Sequence, residues 1–451
     1  MVTRALDASL FPRDGALIDA EGRLMVMDEI LSALVRTSGL SLEALFLVGY
    51  LVSMALLWIG VVLVGIRVYR SAWAVAALGA AVTLRHRIPR TSANSLEPYF
   101  HPRVLAFALG TLALAALLRR HPRLAIGLVA VCALVHVTTA LWFAVLIGTA
   151  LAALDARWRT PLAVGSVAAG LVLALAVAAG PLGGSLATMD DVWLQAVASK
   201  DSLFATGWPA WAWIANLGLL AVLWWAHRAR AAHGTATPED AALAWGATAL
   251  VALFLLTLPL VALGVSLVVQ FQISRVFWLV DLLAIVYLLA AIVGARPPRT
   301  AATVAIVLLA FSAARGAYIM LVERPERALF ELRTPSSPWD EAMRWVGAQP
   351  RGVHVLADPG HAWKYGTSVR VAAARDVLIE EVKDSALAIY SRQAAVRYVD
   401  HVGAIGDFSA LTAEQALDLA RRYDLDYLVT EAELPLPEVY RNEQFRIYAL
   451  K

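Results

Sequence analysis

The chain has 451 residues, of which 60% are hydrophobic and 16% charged, and its mean hydropathy is +0.66. Soluble globular proteins average about 45–50% apolar and about 25% charged residues, so this composition excludes an ordinary soluble protein and indicates a membrane protein. The net charge is +3, but the basic residues lie in short gaps between apolar segments, which argues against nucleic acid as a partner, and the single cysteine excludes an intrachain disulfide.

The first 41 residues are predicted to form an extracytoplasmic segment. They lack the continuous apolar core of a secretory signal peptide. Asp14 and Asp19 lie close to proline or glycine, where aspartate is most often a turn former. Because an outer segment has to be carried across the membrane, we expect a further transmembrane helix upstream of Met1. Insertion of the N-terminus without a signal is the alternative.

Residues 42–321 are predicted to form a polytopic helical domain with about ten transmembrane helices, because their apolar stretches approach the ~20 residues that a bilayer crossing needs. The predicted segments are 42–66, 72–84, 104–118, 123–138, 139–154, 160–180, 208–226, 241–265, 275–294 and 300–321. The apolar run 123–154 is too long for one helix unless it tilts strongly, so it is divided near His136.

Arginine clusters occupy every second gap between these segments. They are Arg67 and Arg70; Arg119, Arg120 and Arg123; Arg157 and Arg159; Arg228 and Arg230; Arg296 and Arg299. Lysine and arginine concentrate on the cytoplasmic side of membrane proteins, so both chain ends are predicted to be extracytoplasmic.

One predicted outer loop, 85–103, departs from this rule because it carries Arg85, Arg87, Arg90 and Arg103. Either translocation tolerates these charges, or they bind an anionic headgroup or pyrophosphate.

Two polar residues inside apolar segments are candidate functional residues, because polar groups are costly in a bilayer. For Asp281, the structural alternative is an internal ion pair with Arg315 or Arg275. For His136, it is a hydrogen-bonded core histidine near Thr138.

Residues 326–451 are predicted to form a soluble periplasmic α/β domain. Predicted strands are 353–358, 377–382, 426–430 and 445–450, and predicted helices are 338–350, 385–400 and 412–423. The turns contain neither a GxGxxG nor a Walker motif, so the sequence does not support nucleotide binding.

Four segments together resemble a bacterial, functionally uncharacterised branch of the GT-C superfamily of membrane glycosyltransferases. They are DASLFPRDG (7–15), SLEPYFHPRVLAFALG (95–110), VHVTTALW (135–142) and DYLVTEAELPLPEVYRNEQFRIYAL (426–450). The resemblance implies a GT-C-like fold and sugar transfer from a polyprenyl-phosphate donor at the outer face of the bacterial inner membrane. Enzymes of this class begin with a transmembrane helix, which is why one is expected upstream.

The resemblance also implies roles for individual residues. Asp14 would be the catalytic acid or base, with Asp19 as second choice. An aspartate can deprotonate an acceptor hydroxyl or hold a divalent metal that binds the donor phosphate. The implied substrate-binding residues are Arg85, Arg87, Arg90, Glu97, His101, His136 and Asp281.

Two other functional classes stay open. One is a transporter or flippase for a lipid-linked or anionic substrate, which predicts inverted repeats that are not evident in the sequence. The other is a non-catalytic membrane-anchored scaffold, which predicts that Asp14, Glu97 and Asp281 can be replaced without loss of function. Membrane lipid is an expected partner in all three cases.

Overall fold

The structure is a computed structural model that describes residues 2–22, 26–180, 182–183, 186–293, 296–325 and 336–451. The chain divides into two units. The α/β unit comprises Met1–Ala33, Met189–Ser199 and Phe330–Lys451, and the helical unit comprises Leu34–Thr188 and Lys200–Leu329. The N-terminal segment therefore shares a unit with the C-terminal region, an association that no local sequence pattern indicates.

The N-terminal segment contains three helices, which are α1 (Val2–Leu6), α2 (Gly15–Gly22) and α3 (Met27–Ser38). Arg4 on α1 holds this segment together, because its Nε donates to Asp19 Oδ1 at 2.9 Å and its Nη1 donates to the carbonyl of Ala8 at 3.2 Å. Arg4 therefore links α1 to α2 through its ion pair with Asp19, and it also donates a hydrogen bond to a backbone carbonyl.

All ten predicted apolar segments form helices. In chain order the helices are α4 (Leu42–Val68), α5 (Ala72–Thr83), α6 (Pro102–Leu118), α7 (Pro122–Val135), α8 (Val137–Leu154), α9 (Arg159–Ala179), α10 (Asp191–Val197, in the α/β unit), α11 (Ala210–Ala232), α12 (Pro238–Ala262), α13 (Ser266–Gln270), α14 (Val276–Val293) and α15 (Pro298–Tyr318). Short 3₁₀ turns cover Ala156–Trp158, Ala205–Gly207 and Ile273–Arg275, and a π turn, Ile319–Glu323, follows α15.

Seven helical stretches in the described residues are long and apolar enough to cross a membrane. They are Leu42–Val68, Val137–Leu154, Ala156–Ala179, Ala210–Ala232, Pro238–Ala262, Ser266–Val293 and Pro298–Glu323. The helices α5, α6 and α7 are apolar but shorter. This pattern indicates a polytopic, membrane-embedded protein.

Burial differs strongly among these helices. In the stretch that contains α14, 72% of the apolar window is buried inside the protein, whereas the window containing α9 has none buried and that of α15 has 6%. Helix α14 is therefore the centre of the helical unit, packed among α5, α8, α11 and α12. Helices α9 and α15 expose apolar surface of the kind that lipid covers in a bilayer.

A two-stranded hairpin interrupts the helices between α5 and α6. Its strands β1 (Arg87–Ile88) and β2 (Ala93–Asn94) are antiparallel, with Arg87 opposite Asn94. Arg90 and Ser92 in its turn have left-handed φ angles of 56° and 53°. The predicted outer loop 85–103 is thus a folded element.

The C-terminal region alternates helices and strands as predicted. The elements are α16 (Pro338–Gly347), β3 (His354–Leu356), α17 (His361–Lys364), α18 (Val369–Ala372), β4 (Asp376–Val377), α19 (Glu381–Leu387), α20 (Arg392–Ile405), a 3₁₀ turn (Phe408–Ala410), α21 (Ala413–Tyr423), β5 (Tyr427–Thr430), β6 (Glu438–Arg441) and β7 (Arg446–Ala449).

These strands form one five-stranded sheet in the order β4-β3-β5-β7-β6. Strand β3 pairs in parallel with β4 and β5, whereas β7 pairs antiparallel with β5 and β6. Alternate side chains enter two different cores: Val355 and Ile447 pack on one face with Trp339, while Leu356 and Tyr448 pack on the other. Both faces of the sheet are therefore buried.

Three details differ from the sequence expectation. The predicted helix 385–400 is divided, because α19 ends at Leu387 and α20 begins at Arg392. The segment 377–382 is extended only in β4, because α19 begins at Glu381, although Leu378 still donates its N–H to the carbonyl of Val355 at 2.9 Å. Strand β6 was not predicted. It lies at the edge of the sheet and is mostly exposed, so it lacks the alternation of buried and exposed residues by which a strand is recognised.

Candidate functional site

Asp14, the predicted catalytic residue, is fully buried in the α/β unit. Its Oδ2 accepts a hydrogen bond from Arg370 Nε at 2.8 Å, and its Oδ1 accepts one from Arg397 Nη2. Burial opposes ionisation, but the charges of Arg370 and Arg397 outweigh it and hold the pKa of Asp14 below its ordinary value. Asp14 is therefore an ionised carboxylate with both oxygens bound to arginines.

The backbone around Asp14 is also fixed. The N–H groups of Arg13 and Asp14 donate to the two oxygens of Asp376, at 3.1 and 3.0 Å. Asp376 belongs to β4, so this carboxylate attaches the N-terminal segment to the edge of the sheet. Burial, together with the nearby charge of Asp14, raises the pKa of Asp376.

Arg370 is the centre of this buried cluster. Its guanidinium also pairs with Asp384, with Nη2 3.1 Å from Oδ2, and with Glu380 at 3.5 Å. Burial lowers the pKa of Arg370, but Asp384 and Asp14 more than compensate, so the pKa is raised and the side chain stays charged. We call Asp14, Arg370, Asp376, Asp384 and Arg397 the buried charge cluster.

The buried charge cluster does not fit a divalent metal, because arginines occupy both oxygens of Asp14. Among the described residues, no group of three or more histidine, cysteine, aspartate or glutamate side chains is arranged to hold a metal ion. Asp19, the second catalytic candidate, lies outside the cluster in a half-exposed ion pair with Arg4.

In the helical unit, charged residues gather at two separate ends. At one end Glu239 accepts a hydrogen bond from Arg120 at 2.6 Å and lies 4.0 Å from Arg67, while Arg230 pairs with Asp240 at 3.0 Å. These arginines come from three of the gaps that the arginine pattern assigned to one side. We call this the arginine-rich end.

At the other end the hairpin packs against distant helices. Asn216 on α11 donates to the carbonyl of Pro89 at 2.9 Å, and Trp278 on α14 donates to the carbonyl of Ser95 at 3.4 Å. Arg90 pairs with Asp201. We call this the hairpin end.

Asp281 lies at the hairpin end and is almost completely buried. Its two oxygens lie 3.1 and 3.2 Å from Nε2 of His86, and Nδ1 of His86 lies 3.0 Å from the carbonyl oxygen of Leu84. Both ring nitrogens thus face acceptors and both must donate, so the geometry calls for a protonated imidazolium. The hydrogen bond with Asp281 raises the pKa of His86.

Further cations lie at the hairpin end. Arg315 donates to the backbone carbonyl of Arg85, and its charge is close enough to His86 to oppose protonation of the ring. The side chains of Arg85 and Arg87 are exposed, and within the described residues neither guanidinium has an acidic partner. The hairpin end therefore carries the exposed side chains of Arg85 and Arg87, which flank His86 in the chain, and also Arg315, in addition to the His86–Asp281 pair.

Glu97 is buried and fixes the hairpin. Its Oε1 accepts a hydrogen bond from Arg103 Nη2 at 3.0 Å, and its Oε2 accepts one from Asn94 Nδ2 at 3.2 Å. Glu97 thus joins β2 to the first turn of α6. Arg103, one of the four arginines of this loop, is committed to this pair, whereas Arg85 and Arg87 are not.

His101 and His136 are helix caps. Nδ1 of His101 accepts from the N–H of Arg103 at 3.2 Å, and Nδ1 of His136 accepts from the N–H of Thr139 at 3.3 Å. The two rings meet edge to face, with centroids 6.2 Å apart. Their positions at the starts of α6 and α8 give both residues a structural role beside the predicted binding role.

Sequence reasoning found Asp281 but missed its partner His86, and found Asp14 but missed Arg370 and Arg397. Comparison with protein-family models, with curated proteins and with solved structures finds no match for this chain. The site therefore has to be interpreted from its own geometry.

Proposed function

We propose that the helical unit is a membrane-embedded transferase that binds the phosphate of a polyprenyl-phosphate-linked donor, as the GT-C resemblance implies, and that it does so at the hairpin end. The observation that carries the proposal is the run of exposed basic residues Arg85, His86 and Arg87, in which His86 also pairs with Asp281. The planar guanidinium of arginine can donate two parallel hydrogen bonds to phosphate oxygens. The side chains of Arg85 and Arg87 are exposed and can make such contacts. His86 adds a third positive charge.

Transfer from such a donor needs two kinds of assistance. The phosphate leaves with the electron pair of the bond to the sugar, and the cations at the hairpin end stabilise the charge that develops on it. The acceptor hydroxyl loses its proton as its oxygen forms the new bond to the sugar.

Asp281 is the best-placed proton acceptor for this step. Of the four acidic candidates, Asp14 and Glu97 have both oxygens held by arginine or amide donors, and Asp19 pairs with Arg4. The partner of Asp281, in contrast, is the titratable His86. His86 cannot itself accept a proton while both of its nitrogens donate. We therefore assign acceptor deprotonation to Asp281 and orientation of that carboxylate to His86.

A binding measurement tests whether the hairpin end holds the phosphate of the donor. Replacing both Arg85 and Arg87 by glutamine should weaken binding of undecaprenyl phosphate to the full-length protein in detergent by roughly tenfold or more, because charge-assisted hydrogen bonds are lost. Arg228→Gln is the matched control, since it removes an exposed arginine of α11 near the other end. Equal affinities of the double variant and the control would refute the site.

A sugar-transfer assay tests the role of Asp281 as proton acceptor. Asp281→Asn should abolish sugar transfer from a polyprenyl-phosphate sugar while the protein still binds undecaprenyl phosphate. Binding should also weaken as pH rises through the pKa of His86, which lies above its ordinary value of about 6.5, because the imidazolium loses its charge. Full transfer activity in the variant would remove Asp281 from the mechanism.

A further inference from the structure

A large cavity opens at the arginine-rich end, on the opposite side of the helical unit from the proposed transfer site. Its volume is about 740 Å³, within the range of ligand-binding pockets. The turn Ala156–Trp158 and the ends of α6, α7, α8 and α12 surround it. The sequence patterns gave no indication of this cavity.

The charged groups that line the cavity leave an excess of positive charge. Glu239 is neutralised by Arg120 at 2.6 Å, with Arg67 a second cation at 4.0 Å, and Asp155 is neutralised by Arg157 at 2.8 Å. Arg123 also lines the cavity, is exposed, and has no acidic partner in the described part of the chain. An anion in the cavity can therefore pair with Arg123, which is not engaged by a carboxylate in the described residues. It can also approach Arg120 and Arg157, each of which already pairs with one carboxylate.

The cavity also offers a buried hydrogen-bond acceptor. Oε2 of Glu239 is buried, and no hydrogen-bond donor among the described residues reaches it. A carboxylate oxygen in this state can accept a hydrogen bond from a hydroxyl group of a ligand. Guanidinium and carboxylate together fit a phosphate ester that also carries a hydroxyl.

The rest of the lining is apolar, which favours an amphipathic ligand. Leu117, Leu151, Leu154 and Trp158 line the cavity beside the arginines. Helix α9 begins at this point, and none of the apolar window that contains it is buried. A lipid can place its headgroup in the cavity while its acyl chains run along this exposed surface.

We propose that this cavity binds the headgroup of an anionic, hydroxyl-bearing phospholipid such as phosphatidylglycerol. The phosphate contacts Arg123, with Arg120 and Arg157 beside it, and a headgroup hydroxyl donates to Glu239. Basic pockets at the ends of transmembrane helices bind anionic lipid headgroups by the same chemistry. The site is independent of the hairpin end and of the proposed transfer reaction.

Lipid titration of the full-length protein, followed by native mass spectrometry, tests the proposal. The wild-type protein should retain phosphatidylglycerol and not phosphatidylcholine. Arg123→Gln should weaken retention roughly tenfold, since it removes a charge-assisted contact. Arg228→Gln, which changes an exposed arginine outside the cavity lining, should leave retention unchanged. Both side chains are exposed, so neither change should disturb folding.

Three results would overturn the proposal. The first is equal retention of the two lipids by the wild-type protein, and the second is equal weakening by the two variants, which would show general attraction to surface charge. The third comes from a soluble competitor: if sn-glycerol 3-phosphate binds in an Arg123-dependent manner and phosphatidylglycerol does not, the ligand is a soluble phosphate. Displacement of bound phosphatidylglycerol only at a large excess of this competitor would support the lipid.

Discussion

The two units differ in the position of their main charge clusters. In the α/β unit, Arg370 is 7% exposed and pairs with three carboxylates inside the protein. In the helical unit, the charged pairs gather at the arginine-rich end and the hairpin end, with apolar helices between them. A buried charge has to be matched by fixed partners, as Arg230 and Asp240 also are in the helical unit. Exposed arginines at the two ends of that unit, such as Arg87 and Arg123, stay available to a ligand. The buried charge cluster therefore stabilises the α/β unit, whereas the two ends of the helical unit offer binding sites.

Removing the centre of the buried charge cluster should produce the largest effect. Arg370→Leu leaves Asp14, Asp384 and Glu380 without their shared cation, and breaking a buried pair in this way costs about 3–5 kcal/mol. We expect the free energy of opening of the α/β unit to fall by that amount. Hydrogen exchange of the β3 and β5 amides in the full-length protein measures it.

The control for this prediction is Arg392→Gln. Arg392 pairs with Asp190 in the same unit, but both side chains are largely exposed, so the exchange rates should change far less. If Arg370→Leu has no larger effect than Arg392→Gln, the difference between a buried and an exposed charge pair does not hold in this protein.

The second prediction concerns pH and the buried His354. Burial lowers the pKa of His354 to about 4. Its Nδ1 lies 3.1 Å from the carbonyl oxygen of Tyr423, while Nε2 is buried and has no hydrogen-bond partner among the described residues. Protonation would therefore place an unpartnered N–H and a charge in the core.

The direction in which stability changes with pH follows from the difference in proton binding between the folded and unfolded states. Between pH 6.5 and pH 4 the unfolded state binds a proton that folded His354 does not, so stability falls as pH falls, by on the order of 3 kcal/mol over the whole window. His354→Gln should flatten that part of the pH profile. Below about pH 4 the loss should continue, since the unfolded chain then binds a proton at Asp14 while folded Asp14, with its lowered pKa, stays ionised. A profile that is flat from pH 6.5 to 4 in the wild-type protein would contradict this prediction.

The third prediction separates the structural role of Asp14 from the catalytic role that the resemblance implies. Asp14→Asn keeps the size of the side chain but removes the charge that Arg370 and Arg397 share. We expect the free energy of opening of the α/β unit to fall by about 1–3 kcal/mol, while sugar transfer continues at permissive temperature. Unchanged hydrogen exchange together with complete loss of transfer would favour the catalytic role.

The sequence predicted those features of the fold that depend on local patterns. The apolar helices were found because length and hydropathy are properties of each segment, and β3, β5 and β7 were found because each is a short buried run. The edge strand β6 was not found, since its exposed residues show no such pattern. The membership of residues 2–33 in the α/β unit was not found either, because it depends on the contacts of Asp14 and Asp376.

The candidate sites could likewise be predicted only as far as local sequence patterns indicate them. Arg370 and Asp14 are separated by 356 positions in the chain, and His86 and Asp281 by 195. A single sequence identifies polar residues in unusual surroundings, such as Asp281, but it does not show which distant residue approaches them. The arginine pattern did better, because the segments that alternate between the two sides impose a common location on Arg67, Arg120 and Arg230.

The smallest expected effect concerns the pair at the hairpin end. Asp281→Asn removes the acceptor charge that raises the pKa of His86, so that pKa should fall towards its ordinary value of about 6.5. The raised pKa means that the pair stabilises the protein at low pH and that this contribution disappears as pH rises through the folded pKa. Because 43% of the His86 side chain is exposed, solvent should limit the contribution to less than about 1 kcal/mol.

An NMR titration of the protein with ¹⁵N-labelled histidine measures this pKa directly. Asp201→Asn is the matched control, because Asp201 lies at the same end but pairs with Arg90. If Asp281→Asn lowers the pKa of His86 and Asp201→Asn does not, the carboxylate of Asp281 controls the charge of the ring, and the hairpin end gains or loses a positive charge near neutral pH. If neither variant changes the pKa, His86 is held by Leu84 alone and Asp281 has no titratable partner. In that case the charge of His86 would not depend on Asp281. The hairpin end would then lack the titratable charge pair that sets it apart from the buried charge cluster of the α/β unit.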